Sequence, residues 1–436
     1  LKAGAVFVMV NHTTKDKKLA YIMNDCGVRA LIAQTSVAPV VARTMPDTPS
    51  LTKVVWTSPP TGDAPSGRTF PELFSETPVR PPDPSLIDLD LCMIVYTSGT
   101  TGHPKGVMLT HQNVVSTARS ISTYLENTAD DVVCCVLPLT FSYGLYQMFV
   151  MALVGYTLLV ESSFAYPVDV LRRMEKHRVT GFPGVPGMFA TMLQVVPSCN
   201  LDLSSLRYVT NAAGPMSAIH IQQILELFPG IRFFSMHGQT ECARTCYMEG
   251  DRLLQKPSSI GKAMPNTELY IVDEEGRHVA PNVVGELVVR GANVMRGYWN
   301  MPEATAKKLR EGPIPGEKVL YTGDLFRMDE DGDLYFVSRT DDIIKCKGEK
   351  VSPKEVEDIL YEMSQIAEVG VVGVADPIDG QAIKACVVPS NSHVLTEQQI
   401  RQHCRARLES RMIPKYVEIR TSLPKTDSGK ISRKDL

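Results

Sequence analysis

The 436-residue chain has a formal net charge of -3, with 44% hydrophobic and 21% charged residues. Such a composition predicts a globular protein of more than one domain, and the small net charge argues against binding to nucleic acid or to an anionic membrane. Its ten cysteines form no Cys-x-x-Cys pair, which favours reduced thiols in a cytoplasmic protein over disulfides or a zinc site.

The first 34 residues predict a β-α-β unit, in which a helix over residues 13–26 ends at Gly27. The chain begins abruptly at Leu1 with an apolar run and no signal peptide, so we expect further elements of the fold to precede it. Residues 46–84 are rich in Pro, Ser, Thr, Gly and Asp and predict a surface connection.

A polar loop, YTSGTTGHPKGV at residues 96–107, follows a short apolar run that predicts a buried strand. The loop has three glycines, four Ser or Thr hydroxyls and Lys105. Glycines allow backbone N–H groups to approach a ligand, while the hydroxyls and the lysine add donors and charge, so the loop suits a polyphosphate. It does not fit the G-x-x-x-x-G-K-[ST] spacing, and an ordinary Ser/Gly turn is the alternative.

Strands and helices alternate from here to residue 241, with predicted strands at 131–138, 206–210 and 231–236 and a helix over 168–178. The apolar stretch 144–160 is short for a membrane span and predicts a buried helix and a strand separated by Gly155, and 180–186 predicts a loop. This order indicates a largely parallel sheet, whose ligands bind beyond the carboxyl ends of the strands. We therefore expect the loops 96–106, 211–215 and 237–241 to converge on one site.

Short strands at 269–276, 285–291 and 332–338 predict a β-barrel-like subdomain. Capping boxes at Ser352–Glu355 and Thr396–Gln399 predict two helices, and 369–374, 382–388 and 416–420 predict strands. The predicted fold is a large α/β N-terminal domain (1–340) with mostly parallel sheets and the barrel-like part, followed by a small, mobile α+β C-terminal domain (341–436).

Five motifs, taken in order, resemble those of the adenylate-forming superfamily, which includes acyl-CoA synthetases, aryl-CoA ligases, luciferases and peptide-synthetase adenylation domains. They are the loop at 96–107, HGQTE at 237–241, YTGD at 321–324, SRTDDIIKCKG at 338–348 and PKTDSGKI at 424–431. The resemblance covers nearly the whole chain and implies activation of a carboxylic acid by ATP and Mg²⁺, followed by transfer to a thiol.

The resemblance implies that Lys105, Glu241 and Lys430 are catalytic and that Glu241 holds Mg²⁺. The other ATP- and AMP-binding residues that it implies are Thr97, Ser98, Gly99, Thr100, Thr101, Gly102, Ala212, Ala213, Gly214, His237, Gly238, Gln239, Thr240, Asp324 and Arg339. Two positions depart from the family: His237 stands where Tyr is usual, and Ser338 where Gly is usual.

At the domain junction, the resemblance implies that Asp341 is a hinge and that Lys345, Lys347 and Gly348 belong to the face that meets the thiol. Rotation of the small domain about Asp341 would withdraw Lys430 after adenylation and bring this face to the acyl group.

The substrate is expected to be a fatty or aryl acid rather than an amino acid, because residues 139–144 lack the acid that holds an amino group. Phe141, Tyr143 and Met236 are the predicted acyl pocket. Phe182, Val185 and Met188 are expected nearby. The thiol belongs either to coenzyme A or to the phosphopantetheine arm of a carrier protein. A luciferase-type oxygenase and a non-catalytic scaffold are the alternatives.

Overall fold

The computed structural model describes most of the chain, which folds into several sheets packed with helices. The described residues are 1–62, 64–76, 85–97, 104–212, 214, 216, 218–256, 258–346, 349–377, 380–390, 395–426 and 430–436. The predicted fold class is confirmed, with mixed α/β sheets in the larger part and a smaller α+β part after them.

Helices and strands alternate through the first 263 residues. The strands are β1 (Phe7–Val8), β2 (Ala30–Ala33), β3 (Lys53–Trp56), β4 (Arg68–Thr69), β5 (Leu91–Tyr96), β6 (Gly106–Thr110), β7 (Val132–Cys135), β8 (Thr157–Val160), β9 (Gly181–Gly184), β10 (Tyr208–Asn211), β11 (Arg232–His237), β12 (Cys246–Glu249) and β13 (Lys262–Ala263). The helices are α1 (Asp16–Asp25), α2 (Ala38–Thr44), α3 (Phe70–Glu76), α4 (His111–Leu125), α5 (Ser142–Val154), α6 (Pro167–Lys176), α7 (Pro186–Val195), α8 (Ala218–Leu227) and α9 (Gly250–Gln255).

Strands are more frequent in the rest of the chain. They are β14 (Thr267–Val272), β15 (Gly285–Gly291), β16 (Gly297–Tyr298), β17 (Leu309–Glu311), β18 (Lys318–Met328), β19 (Leu334–Arg339), β20 (Ile344–Cys346), β21 (Glu349–Val351), β22 (Ile366–Asp376), β23 (Gly380–Pro389) and β24 (Tyr416–Ile419). The helices are α10 (Pro302–Lys308), α11 (Pro353–Tyr361) and α12 (Glu397–Arg405).

The N-terminal segment corrects two predictions. Although β1, α1 and β2 follow in the predicted order, β1 pairs with β5 and β2 pairs with β3, so they do not form one β-α-β unit. Residues 46–84 are not only a connection either, since β3, β4 and α3 lie within them. Val54 and Trp56 of β3 pack against Met23 of α1 in a small core, and this burial outweighs the turn-forming composition of the flanking residues.

The central sheet has seven strands in the order β13-β12-β11-β10-β9-β7-β8. Strands β7 to β11 run parallel, as predicted, whereas β12 pairs antiparallel with both of its neighbours, β11 and β13. Strand β9 occupies part of the predicted loop 180–186. All four of its residues are buried between β7 and β10, so tertiary packing overrides the Gly and Pro content that predicted a loop.

The phosphate-loop sequence connects β5 and β6, which form an antiparallel hairpin in a second sheet, ordered β1-β5-β6-β16. The backbone N–H of Thr97 donates to the carbonyl of Lys105 over 3.0 Å and closes the base of the hairpin. The loop therefore begins and ends at a fixed position between two buried strands.

The predicted barrel-like part is a five-stranded antiparallel sheet, in which β15 and β18 are central and β19 pairs with β18. A further five-stranded sheet contains β20 to β24, with α11 and α12 contributing Val356, Leu360 and Ile400 to its core.

The two predicted capping boxes have different outcomes. The Thr396 side chain accepts from the Gln399 N–H and the Gln399 side chain caps in return, so this box is confirmed. The Ser352 box is wrong, because the Ser352 hydroxyl donates instead to the Val337 carbonyl over 2.6 Å. Ser352 thus joins the first helix of the small part to β19 of the large part.

The search for membrane-spanning helices covered the described residues and found none of sufficient length and apolarity. The predicted division of the 144–160 stretch is confirmed: α5 ends at Gly155, whose φ of +90° favours glycine, and β8 follows.

Candidate functional site

Lys105 and Glu241 meet at one side chain, Tyr298 of β16. The Tyr298 hydroxyl donates to Glu241 Oε1 over 2.7 Å, and Lys105 Nζ lies 5.3 Å from the centroid of the Tyr298 ring. Burial raises the pKa of Tyr298, and the charge of Glu241 raises it further, so the phenol stays protonated and keeps donating. The predicted phosphate-binding lysine and the predicted metal-binding carboxylate therefore lie around the same tyrosine.

A second group contains His237, Asp324 and Arg339. His237 ends β11, and its Nε2 lies 3.3 Å from Asp324 Oδ2, while its Nδ1 pairs with Thr245 Oγ1 at 2.8 Å. Arg339 Nε lies 3.6 Å from the other oxygen of Asp324, across the β18–β19 pair. Burial tends to raise the pKa of Asp324, which is 5% exposed, but the hydrogen bond and charge of His237, followed by Arg339, lower it. The carboxylate is thus held ionised.

Lys430 belongs to the second group, although it lies more than 90 residues later in the chain. Its backbone carbonyl accepts from the Thr426 N–H over 2.7 Å. Surrounding protein lowers the pKa of Lys430, the charge of Asp324 raises it, and Arg339 lowers it again. Its side chain still reaches solvent, as expected for a lysine that extends into an open cleft.

Lys308, at the end of α10, is a further cation in this region. Its Nζ donates to the carbonyl of Thr322 over 2.7 Å, directly before Gly323 and Asp324. Burial lowers the pKa of Lys308, while the charges of Glu241, Glu286 and Asp324 raise it. Since Glu241 and Asp324 both act on Lys308, the first and second groups belong to one site.

Two polar atoms at the carboxyl ends of the central strands have no hydrogen-bond partner among the described residues. They are Asn211 Oδ1, at the end of β10, and Gln239 Nε2, after β11. Between them, Gly238 is needed for close packing, because a Cβ there would lie 2.2 Å from the Ala243 carbonyl oxygen. Buried polar atoms without partners are uncommon in proteins and suit a substrate that supplies the missing bonds.

The predicted acyl-pocket residues occupy one face of the central sheet. Tyr143 hydrogen-bonds through its hydroxyl to Thr210, and buried Met236 accepts through its sulfur from the Tyr124 hydroxyl. Phe141 directly precedes α5 and is half-buried. Phe182 and Met188, expected nearby, pack instead in the core on the opposite face of the sheet, since neighbouring residues of a strand point to opposite faces. Val185 precedes α7 and is half-buried.

Several predicted site residues lie outside the described part of the chain. These are Ser98, Gly99, Thr100, Thr101, Gly102, Ala213, Lys347 and Gly348, together with the side chain of Lys345. Thr97, Ala212, Gly214 and Thr240 are described, and all border the strand ends named above. Asn211 Nδ2 donates to the Gly214 carbonyl over 3.1 Å, which fixes the course of that loop.

At the junction, Asp341 is exposed in a single 3₁₀ turn, Thr340–Asp342. Arg433 links this turn to the small part, because its guanidinium pairs with Asp342 at 2.6 Å and with Glu357 of α11 at 2.8 Å. The segment carrying Lys430 is therefore attached directly to the residues beside the predicted hinge.

The sequence analysis missed Tyr298, Lys308 and Arg244. Tyr298 was recognisable only as part of a short Gly-Tyr-Trp run, and Lys308 only as one lysine of a polar helix. Arg244 had a clearer signal, since it is a lone charge in the apolar stretch that follows Glu241.

Comparison with known proteins adds two family matches. The family described as AMP-binding enzyme matches residues 1–299, and its C-terminal domain family matches residues 355–430.

Curated relatives and solved structures agree with these matches. A long-chain-fatty-acid–CoA ligase of Bacillus subtilis (strain 168) is 34% identical over 351 residues, which cover 80% of this chain and 61% of that ligase. A feruloyl-CoA synthase of Amycolatopsis sp is 33% identical over 433 residues, covering 99% of this chain and 83% of the synthase. The crystal structure of ATP-bound MatB from Rhodopseudomonas palustris has a TM-score of 0.88 at 25% identity, over 99% of this chain and 83% of that one.

Proposed function

Because the chain belongs to the AMP-binding enzyme family, as an AMP-forming acid–thiol ligase of the acyl-CoA synthetase type, we propose that its substrate is a fatty or aryl acid and its acceptor coenzyme A. It activates a carboxylic acid with ATP, releasing pyrophosphate, and passes the acyl group to the thiol. The relatives named for long-chain fatty acids and for feruloyl-CoA support these two acid classes.

The observation that carries this proposal is the gathering of charges from distant parts of the chain. Lys105 meets Glu241 through Tyr298, and Lys430 faces the Asp324–Arg339 pair. Cations placed before the reaction starts stabilise charge that develops on phosphate oxygens, and this is usually the largest catalytic contribution.

The first step joins two anions, since a carboxylate oxygen attacks the α-phosphorus of ATP and pyrophosphate leaves. Lys105 would hold the β- and γ-phosphates, and Lys430 would bind the carboxylate and the α-phosphate as their charges approach. Asp324 accepts the ribose hydroxyls, for which its ionised state is suited. In the second step, the thiol sulfur attacks the acyl carbon, AMP leaves and the thiol proton is released.

Mg²⁺ fits the site at Glu241, whose carboxylate is held by Tyr298 beside Lys105. A single carboxylate together with phosphate oxygens and water is a common set of Mg²⁺ ligands. When bound, the ion supplies positive charge to the phosphates of ATP.

Between the two steps, the part from residue 341 onward is proposed to rotate about Asp341. Lys430 would then leave the site, and the face containing Lys345 and Gly348 would approach the acyl group. The boundary between a large domain, 1–340, and a small mobile domain, 341–436, belongs to the same proposal. A cytoplasmic location is also part of the proposal, and the ten free cysteines support it.

Acid-dependent release of pyrophosphate tests the proposal, with Mg-ATP, fatty acids of increasing length and benzoates, each with and without coenzyme A. Release that requires an acid and is accelerated by coenzyme A is the expected result. Pyrophosphate release that requires an acid but does not change with coenzyme A would instead identify a carrier protein as the acceptor. No release with any acid would contradict the proposed function.

A further inference from the structure

Arg244 is a buried cation. Its residue is 4% exposed, and its Nε has no hydrogen-bond partner in the part of the chain that the structure describes. Among the described residues it forms no ion pair, and its backbone is fixed by bonds to the Cys242 carbonyl and from the Asn293 side chain. An arginine cannot lose its proton in a protein, so this charge stays buried.

The guanidinium of Arg244 lies beside the predicted acyl pocket. Its Cζ is 5.1 Å from the centroid of the Tyr143 ring, and Tyr143 is fixed to the end of β10 through Thr210. Burial raises the pKa of the Tyr124 hydroxyl to about 12, and the nearby Arg244 charge partly opposes this. The same hydroxyl donates to Met236, so Arg244, Tyr143 and Met236 surround one region.

A buried charge is costly unless an opposite charge and hydrogen bonds compensate it. Other arginines of the same sheet have such compensation, as when Arg207 pairs with Asp131 at 2.8 Å and Arg232 pairs with Glu126 at 2.9 Å. Tyrosine rings and hydroxyls offer Arg244 only partial compensation. The Nε donor, which has no partner among the described residues, is therefore available to an anion that enters with the substrate.

We propose that Arg244 binds a second carboxylate on the acid substrate, so that the enzyme prefers dicarboxylic acids to monocarboxylic acids of the same carbon skeleton. This inference rests on the proposed function and narrows its substrate class. One carboxylate reacts at the phosphates, while the other forms an ion pair with the guanidinium, whose planar fork matches carboxylate geometry. Tyr143 and Met236 contact the carbon skeleton between the two groups.

The test measures kcat/KM for acid-dependent pyrophosphate release with matched pairs of acids. The pairs are straight-chain acids and their α,ω-dicarboxylic counterparts over a range of lengths, and benzoate against the three benzenedicarboxylates. The wild-type enzyme is expected to prefer one dicarboxylic acid over its monocarboxylic partner by at least about 100-fold, the usual scale for a buried ion pair.

Arg244→Met keeps the volume of the side chain and removes its charge. It is expected to abolish most of the dicarboxylic preference and to raise activity with the monocarboxylic partner, whereas Arg244→Lys should restore part of the preference. Arg207→Met is the matched control. Arg207 precedes β10, at the end of the strand opposite to Thr210, so this control should leave the ratio unchanged.

Outcomes separate the inference from the proposed function. Activity with monocarboxylic acids, no dicarboxylic preference in the wild type and an unchanged ratio in Arg244→Met would overturn the inference and leave the ligase function standing. No release with any acid would overturn both. If Arg244→Met fails to fold, the ratio of kcat/KM for dicarboxylic over monocarboxylic acids, measured in the wild type and in Arg244→Lys, still tests the inference.

Discussion

Lys430 combines two properties that a residue acting only during adenylation should have. It lies close enough to Asp324 and Arg339 to exchange electrostatic effects with them, and its own side chain is exposed to solvent. The contribution of Lys430 to catalysis therefore depends more on the position of the segment that carries it than on burial of its side chain.

Replacing Lys430 by Ala is expected to lower the rate of adenylate formation by about 100- to 1,000-fold, the loss usual for one preorganised charge. ATP binding should weaken far less, because Lys105, Asp324 and Arg339 stay in place. Pyrophosphate release and nucleotide titration on the same variant give both values. Lys434→Ala, an exposed lysine four residues later, is the control, and equal losses of rate and binding in Lys430→Ala would contradict the catalytic role.

At the scale of single residues, the sequence predicted site residues that lie within motifs, but not the residues outside the motifs that bring two of them into contact. Glu241 and Lys105 were recognisable from local composition, whereas their common contact, Tyr298, comes from a strand nearly 60 residues beyond Glu241. Arg244 shows a similar limit: its charge is visible in the sequence, but its lack of an ion pair among the described residues depends on tertiary packing.

The turn between β18 and β19 depends on a cation surrounded by carboxylates. Lys256 Nζ lies 2.7 Å from oxygens of Asp329, Asp331 and Asp333, and Arg252 adds a second bond to Asp333. The three carboxylates resemble a metal site in their spacing, but the lysine already occupies the position between them. The turn is therefore held by an internal ion-pair network.

Asp333→Asn is expected to destabilise the protein by about 3 kcal/mol, because it removes a fully buried partner of two cations. Asp331→Asn should cost less than about 1 kcal/mol, since that side chain is 73% exposed. Urea unfolding of the two variants measures the difference. Equal effects would show that burial does not determine the strength of these pairs.

The same turn predicts a dependence of stability on pH. Burial tends to raise the pKa of Asp329, but the hydrogen bond from Lys256 and those from the Asp333 N–H and the Tyr335 hydroxyl lower it to about 2. An aspartate in the unfolded chain titrates near pH 3.9, so the unfolded state takes up this proton first as the pH falls.

The contribution of Asp329 is thus complete above about pH 5 and is lost between about pH 4 and pH 2. Asp329→Asn should be less stable than wild type by about 1–2 kcal/mol at pH 7, allowing for solvent access. The difference should shrink toward zero near pH 2. A difference that does not change with pH would exclude the ionised carboxylate as its source.

Element types were predicted more reliably than their partners. The hairpin at the phosphate loop and the Thr396 cap follow from patterns within a few residues. The pairing of β1 with β5 and the burial of β9 depend on contacts far apart in the chain, which local composition does not encode. The Ser352 cap failed for the same reason, because the Ser352 hydroxyl is positioned by its bond to the carbonyl of Val337, 15 residues earlier, and not by the helix backbone.

At the scale of the whole molecule, Arg433 connects the Lys430 segment with Asp342, directly after the predicted hinge, and with Glu357 of α11. Asp341→Pro restricts the backbone where the small part is proposed to rotate, so adenylate formation should stay near the wild-type rate while thioester formation slows by about 10-fold or more. Single-turnover measurements separate the two steps. Asp341→Ala, which leaves the backbone free, should affect neither, and loss of the first step in Asp341→Pro would contradict the hinge.

Three buried polar atoms near the site allow ligand binding to be measured without any turnover. Asn211 Oδ1, Gln239 Nε2 and Arg244 Nε are buried and form no hydrogen bond with the described residues, so a ligand that supplies these bonds would remove a cost that the free folded state carries. A ligand that pairs with them raises the melting temperature, and at 100 times its Kd it adds about 2.7 kcal/mol of stability. A melting screen of acids and nucleotides would therefore rank what the site recognises, even for molecules that it binds but does not convert.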